Sequence, residues 1–300
     1  MAPVKIGMQP RFTLAKHARL EGGGNAPLVA TTRNALRVLT LLGRTDVPVA
    51  AGADRPLLRE PHAATNVHGA SGLDGADLPE PAVAARPEGA LELMAASIRE
   101  SAGPVTLVPT GPLTNIAMFL RGYPTLVDRI ERICLMGGSI GVGNTTASAE
   151  FNIWHDPEAA AIVFGSGLSI AMHGLDVTHQ ALFRTADVER LAAIGSPTAH
   201  VFAGLLGFFA RFHAERYGWD GSPIHDAVAV AHVAVPGLVE TRRYRVDVET
   251  RSELTRGRTV VDVEGVSGSP PNAEVGVAID RERFIGLLFD AVRALPGSVA

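Results

Sequence analysis

The sequence predicts a Rossmann-like, layered α/β fold with a largely parallel central sheet, helices on both faces and extra antiparallel strands near the C-terminus. From about residue 28 onward, short apolar runs alternate with amphipathic stretches, as strands and helices do in such folds. Near the end of the chain, RYRVDVET and RTVVDVE alternate apolar and polar residues in the antiparallel manner. A chain of 300 residues with 46% hydrophobic content can build one large domain around a sizeable core.

Periodicity and turn residues predict the individual elements. Helices are expected over 32–42, 90–101, 113–122, 156–167, 196–217, 226–235 and 281–295. Buried strands are expected at VPVAAG, VTLVPT, RICLMGG and LSIAMHGLD. Asp156 is a plausible N-cap, with Pro157 at the first helical position. Because ligands bind beyond the carboxyl ends of parallel strands, we expect the site in the loops that follow them.

The first 24 residues do not share this pattern. They hold both lysines of the chain, Lys5 and Lys16, and no aspartate occurs before Asp46. They show no clear strand and only a weak helical stripe. We therefore divide the chain into an atypical N-terminal segment, residues 1–24, which we expect to be a replaced or truncated first β-α unit, and a domain over residues 25–300.

Composition argues against several classes of protein. A formal net charge of −4 argues against a nucleic-acid partner. Apolar runs end well before the ~20 residues that a membrane span requires, so no membrane partner is expected. The single cysteine, Cys134, lies in an apolar stretch, which favours a buried, unreactive thiol. With no disulfide framework, we expect a cytoplasmic protein.

The most informative polar cluster lies in residues 135–157, LMGGSIGVGNTTASAEFNIWHDP. A strand ends near Met136, and a glycine-rich turn leads to Asn144, Glu150 and Asn152. Carboxylate and amide side chains at a strand end suit the binding of neighbouring sugar hydroxyls. The alternative is an ordinary solvated loop, because Asn, Gly and Thr are loop residues in any case.

A second motif is SPIHDAVAV, in which a His-Asp pair begins an apolar helix. Asp226 is expected to be either the N-cap of that helix or a ligand of a hard cation, with His225 beside it as a proton donor. VPTGPLTN places the Thr110 carbonyl at a strand end, where it could also ligate a cation. Asn25 follows a glycine turn, and His68 lies in a flexible loop where plain exposure is the alternative.

Taken together and in order, these motifs resemble the blocks of inosine-uridine preferring nucleoside hydrolases. The resemblance extends from about residue 23 to the C-terminus, and its most specific parts are AEFNI-x-x-DPEAA and the His-Asp pair. The blocks are GNAPLVATTRNAL, HGASGLDG, PTGPLTNIA, LMGG, GNTTASAEFNIWHDPEAA, GLDVTHQA, ERYGWDGSPIHD and ELTRGRTVVD.

The resemblance implies hydrolysis of the N-glycosidic bond of ribonucleosides through an oxocarbenium-like transition state, with Ca²⁺ holding the ribose hydroxyls and the attacking water. It implies calcium ligation by Asp226 and the Thr110 carbonyl, and places His225 on the leaving-group side. It also implies substrate-binding roles for Asn25, His68, Met136, Asn144, Glu150, Phe151, Asn152 and Tyr217. The presence of His225 favours purine substrates, although purine and pyrimidine substrates both remain open. The resemblance also implies a homodimer or homotetramer.

The sequence departs from the family at its start. The aspartate motif D-x-D-P-G-x-D-D, which supplies a general base and calcium ligands in the family, is absent. We therefore expect weak or no activity, since a general base contributes about 10²–10⁴ in rate. A misplaced start, a frameshift or a degenerate family member would each explain the departure. The alternative function is a non-catalytic nucleoside- or ribose-binding protein.

Overall fold

Ten strands and ten α-helices make up the part of the chain that the computed structural model describes, which is residues 19–21, 26–61 and 73–295. The strands are β1 Arg19–Glu21, β2 Val49–Ala51, β3 Val105–Leu107, β4 Ile130–Met136, β5 Ile170–His173, β6 Leu182–Phe183, β7 Ser222–Pro223, β8 Val239–Val248, β9 Thr259–Asp262 and β10 Ala273–Ile279. No helix in these residues is long and apolar enough to cross a membrane.

The helices lie between the strands in the order that a layered fold requires. They are α1 Leu28–Leu41, α2 Ala90–Glu100, α3 Thr114–Gly122, α4 Phe151–His155, α5 Pro157–Phe164, α6 Leu175–Thr178, α7 Thr185–Ala192, α8 Pro197–Tyr217, α9 His225–Ala234 and α10 Arg281–Ala294. A short 3₁₀ helix, Pro124–Arg129, precedes β4.

The central sheet has six strands in the order β3-β4-β5-β10-β8-β9. The pairs β3–β4, β4–β5 and β5–β10 are parallel, whereas β10–β8 and β8–β9 are antiparallel. The predicted fold class, with its parallel sheet and its antiparallel strands near the C-terminus, is therefore confirmed. β1 and β2 form a separate parallel pair, and β6 and β7 a separate antiparallel pair.

Successive side chains of β4 point to opposite faces of the sheet, and both faces are buried. Ile133 and Leu135 pack into the core that also contains α2, α3 and α5. Cys134 and Met136 point to the opposite face and pack with residues of α6 and α9. Since both faces are covered by helices, the strand reads as a continuous apolar run.

Cys134 behaves as the sequence predicted. It is fully buried, and its thiol lies 3.2 Å from the backbone carbonyl of Ala229. Burial raises the pKa of the thiol to about 12, so the reactive thiolate is almost absent near neutral pH.

Four strands, β1, β6, β7 and β10, differ from the sequence predictions. The run AEVGVAI forms β10, which we did not predict, and it lies between β5 and β8. Arg19–Glu21 forms β1 within the segment to which we assigned no strand. Three residues are too few to show a periodicity, and parallel pairing with Val49–Ala51 defines this strand. The domain boundary at residue 24 stays a prediction.

Candidate active site at the carboxyl ends of the strands

The turn that follows β4 forms one side of the candidate site. Gly138 has φ +75, and a Cβ atom there would lie 2.8 Å from the Thr259 side chain, so only glycine fits. Its backbone N–H donates to Glu150 Oε2 at 2.9 Å. Thr259 in turn exchanges hydrogen bonds with the backbone of Ser139. The turn is thus held by side chains from two later parts of the chain.

Glu150 is the N-cap of α4, and its carboxylate is almost fully buried. Oε1 accepts the backbone N–H of Asn152, and Oε2 accepts those of Gly138 and Ile153. Burial raises the pKa of this carboxyl to about 7; the three N–H donors oppose that shift, and the negative charge of Asp226 adds to it. Glu150 therefore fixes the turn and the first helical turn of α4. Its contact with sugar hydroxyls stays a prediction.

Asn152 joins the ends of two strands. Its side-chain Nδ2 lies 3.2 Å from the Thr110 carbonyl oxygen and 3.1 Å from the Met136 carbonyl oxygen. Met136 Sδ is 3.4 Å from the same nitrogen. Asn152 is buried, and its side-chain oxygen, Oδ1, takes part in none of these three contacts. The structure thus brings together three of the residues that the sequence singled out.

Asn144 and Phe151 lie on the outer side of this cluster. Asn144 is exposed, and its Oδ1 accepts the backbone N–H of Phe151 at 3.0 Å. The half-buried Phe151 ring lies 6.3 Å from the ring of Trp154. Asn144 therefore braces the start of α4.

The His-Asp pair lies in the first turn of α9, and the capping interpretation of Asp226 is wrong. The N-cap residue is Ile224, which makes no side-chain capping bond, and Asp226 follows it by two positions. Asp226 is exposed, and its charge reaches Glu150. Asp226 lies in the first turn of α9, where the helix dipole favours a negative charge.

His225 contacts a residue that the sequence did not single out. Its Nδ1 lies 2.8 Å from Thr178 Oγ1, at the end of α6. The ring of His179 is 5.7 Å from the ring of His225. GLDVTHQA was recognised as part of the resemblance, yet neither residue was assigned a role.

A ring cluster formed by Tyr217, Trp219, His179 and His213 continues from His225. Trp219 lies at its centre, 5.0 Å from His179, 5.1 Å from Tyr217 and 5.7 Å from His213. Burial lowers the pKa values of His179 and His213, so both imidazoles are neutral near pH 7. The cluster offers flat, uncharged rings suited to stacking on a planar ligand. Only Tyr217 was predicted from the sequence.

Two predicted site residues, Asn25 and His68, lie outside the described residues. The described residues do not complete a calcium site. Thr110 and Asp226 offer one carbonyl and one carboxylate, whereas Ca²⁺ takes about six to eight oxygens. In residues 26–61 and 73–295, no group of three or more His, Cys, Asp or Glu side chains could hold a metal ion.

Comparison with known proteins places this site in a family. Residues 21–286 match the model of the inosine-uridine preferring nucleoside hydrolase family. A pyrimidine-specific ribonucleoside hydrolase, RihA, from Escherichia coli O17:K52:H18 is 51% identical over 271 residues, which is 90% of this chain and 87% of that protein. The protein of the same name from Shewanella sp. (strain MR-7) is 53% identical over 270 residues, covering 90% and 85%.

Solved structures agree with the sequence comparison. A purine-preferring ribonucleoside hydrolase from Gardnerella vaginalis superposes with a TM-score of 0.87 at 30% identity, over 94% of this chain and 91% of that one. The plant nucleoside hydrolase PpNRh1 gives a TM-score of 0.82 at 31% identity, over 90% and 88%. The chain therefore belongs to the inosine-uridine preferring nucleoside hydrolase family, the family of ribonucleoside hydrolases that its motifs indicated.

Proposed function

We propose that this chain binds pyrimidine ribonucleosides at the carboxyl ends of β3 and β4 and hydrolyses their N-glycosidic bond at a low rate. The observation that carries the proposal is the link made by Asn152, which fixes the Thr110 and Met136 carbonyls beside the buried Glu150. Such a platform of fixed polar groups is what recognition of ribose hydroxyls requires. The pyrimidine preference rests on the two relatives above 50% identity, both named pyrimidine-specific.

The predicted residues divide between the two ends of the substrate. Asn144, Glu150 and Asn152 bind the ribose, with Met136 and Phe151 packing beside it. His225 and Tyr217 lie on the side of the leaving base, where the ring cluster adds stacking surfaces. Positive charge that develops on the ribose is stabilised by the nearby carboxylates of Glu150 and Asp226. Asn25 and His68 are proposed to complete the substrate contacts.

The low rate follows from what the described residues lack. Asp226 is the exposed carboxylate that we assign to calcium, and with the Thr110 carbonyl it provides too little negative charge for tight binding. No step is therefore assigned to the metal. Without the family's aspartate motif, a loss of about 10²–10⁴ in rate is expected from the missing general base alone.

A non-catalytic nucleoside-binding protein is the second candidate. The hydrogen bonds of Asn152 and Glu150 favour it, because they form a ribose platform that needs no metal. Binding of uridine with no detectable release of uracil would establish this second function. A melting temperature that does not respond to any nucleoside would exclude both.

The test is release of free base from uridine and from inosine, with added calcium and with a chelator. We expect slow release from uridine, slower release from inosine, and a further loss in Asp226→Asn. Asp290→Asn, the same substitution at an exposed position on α10, is the matched control and should keep the wild-type rate. Faster release from inosine than from uridine would refute the proposed pyrimidine preference. We also propose a homodimer or homotetramer, which sedimentation would test.

A further inference from the structure

Thr178 is the last residue of α6 and contacts His225, and it has no role in the function proposed so far. The residue is fully buried, and its Oγ1 lies 2.8 Å from His225 Nδ1. We propose that Thr178 is a positioning residue whose hydroxyl donates to His225 Nδ1, so that the ring proton of this histidine lies on Nε2. The inference rests on the proposed function only in assigning His225 to the leaving base.

The count of hydrogen bonds at Thr178 decides the direction of this contact. Among the described residues, the Thr178 hydroxyl makes no other hydrogen bond than the one to His225. If Nδ1 carried the proton, the hydroxyl would accept it, and its own O–H would be buried without an acceptor. If the hydroxyl donates to Nδ1, every polar atom of the contact is satisfied. A buried donor without an acceptor costs free energy, so the arrangement in which the hydroxyl donates to Nδ1 is favoured by roughly tenfold or more.

Thr178 cannot easily move away from this contact. Its backbone N–H donates to the Gly174 carbonyl and its carbonyl accepts the N–H of Ala181, both at 3.0 Å. Gly174 lies so close to the Gly138 carbonyl that a Cβ atom would approach the oxygen to 2.6 Å. These contacts fix the hydroxyl in place relative to the glycine turn after β4.

A second contact ties α6 to the same turn. Asp176 accepts the backbone N–H of Ile140 at 2.5 Å and that of Gly141 at 3.1 Å. One four-residue helix therefore connects the ribose side of the site, through Asp176, with the leaving-base side, through Thr178. This connection sets where His225 lies relative to the turn.

The tautomer determines what His225 can do. With Nδ1 occupied as an acceptor, the remaining N–H is a neutral hydrogen-bond donor at Nε2. When the N-glycosidic bond of a pyrimidine nucleoside breaks, its bonding electrons pass to the base, and the charge spreads onto the exocyclic oxygen next to the broken bond. A neutral N–H donor stabilises that oxygen. The opposite tautomer would present a lone pair and repel it.

The tautomer can be read directly by nitrogen and carbon NMR of the imidazoles, well above the ordinary histidine pKa of about 6.5. His225→Gln identifies the His225 signals. We expect wild-type His225 to carry its proton on Nε2, Thr178→Ser to keep that signature, and Thr178→Val to give a mixture of both tautomers. A wild-type proton on Nδ1, or an unchanged tautomer in Thr178→Val, would overturn the proposal. The wild-type spectrum alone decides if the valine variant does not fold.

Base release gives a second, separate readout. We expect Thr178→Val to lower kcat for uridine by roughly tenfold with KM nearly unchanged, and Thr178→Ser to restore it. Equal rates in all three proteins would refute the role in the reaction. If the wild type released no base at all, the proposed hydrolysis would fail, and the NMR result would still decide the inference about Thr178.

Discussion

Replacement of Glu150 by glutamine tests the electrostatics of the site most directly. The change removes a titratable carboxyl whose size and position are almost preserved by the amide. In the wild type, both carboxylate oxygens accept backbone N–H groups, and burial is complete enough to raise the pKa to about 7. The glutamine NH₂ group would meet a backbone donor, which adds a destabilisation that does not depend on pH.

The magnitude follows from the shift. The pKa rises from an ordinary value of 4.5 to about 7 in the folded protein. Because the folded state holds this proton more tightly than the unfolded state, Glu150 contributes its full stability below pH 4.5 and loses it as the pH rises through 7. At ~1.36 kcal/mol per pKa unit, the loss is about 3 kcal/mol. No reduction for solvent screening is needed, since the residue is 3% exposed.

The assay is the free energy of unfolding by denaturant, measured across this pH range for wild type and Glu150→Gln. Buried histidines change the stability of both proteins in the opposite direction, so only the difference between the two curves isolates Glu150. We expect the free energy of unfolding of the wild type, relative to that of Glu150→Gln, to fall by about 3 kcal/mol between pH 4.5 and a pH above 7. Glu264→Gln, at an exposed position, is the control and should leave the profile unchanged.

A pH-independent difference between wild type and Glu150→Gln would refute the reasoning. It would mean that the three N–H donors compensate fully for burial. Carboxyl ¹³C titration of Glu150 gives the same answer without unfolding the protein, because its midpoint should lie near 7.

Three further predictions concern other buried groups. Burial lowers the pKa of His173 to about 3, so the free energy of unfolding should fall by roughly 1.4 kcal/mol per pH unit as the pH drops from 6.5 toward 3. His173→Phe should flatten that slope, and an unchanged slope in this variant would contradict the assignment. Asp156 accepts hydrogen bonds from Thr114, Leu57 and Ala159, so Asp156→Ala should lower the free energy of unfolding by about 2–4 kcal/mol. Ser196→Ala, which removes a single capping bond, should cost only ~1 kcal/mol. Equal costs in the two variants would contradict this role of Asp156. Cys134 should resist iodoacetamide until the protein unfolds, and rapid labelling of the native protein would disprove its burial.

The strands β2 to β5 and most helices could be predicted because periodicity and capping residues mark them locally. Asp156 illustrates this, since its side chain accepts the N–H of Ala159 as expected of an N-cap before Pro157. β10 was missed because Gly276 interrupts its apolar run. The structure explains that glycine: a Cβ atom would come within 3.0 Å of Val177, and the register shifts just beyond it.

The candidate site was predictable only where one stretch of sequence carries it. Glu150 and Asn152 lie in a single motif, and their contacts with Gly138 and Met136 span only 12 and 16 positions of the chain. Thr178 was missed because it lies 47 positions before His225 and comes to it only where α6 packs against α9. Trp219 was missed because its ring contacts His179, just after α6, and it is the ring of His179 that lies beside His225. Neither residue type signals such a role by itself, and only the packing of those helices makes it visible.

The strand order has a consequence for synthesis of the protein. β5 pairs with β10 through Ala171 and Glu274, which the ribosome joins to the chain about a hundred residues later. At ~5–20 residues per second, the open edge of β5 waits on the order of 5–20 s for its partner. β8 and β9 emerge during that interval and can form their hairpin, but they join the sheet only through β10. A nascent chain stalled before residue 273 would therefore expose two unpaired strand edges, and such chains should need chaperones more than the finished protein does.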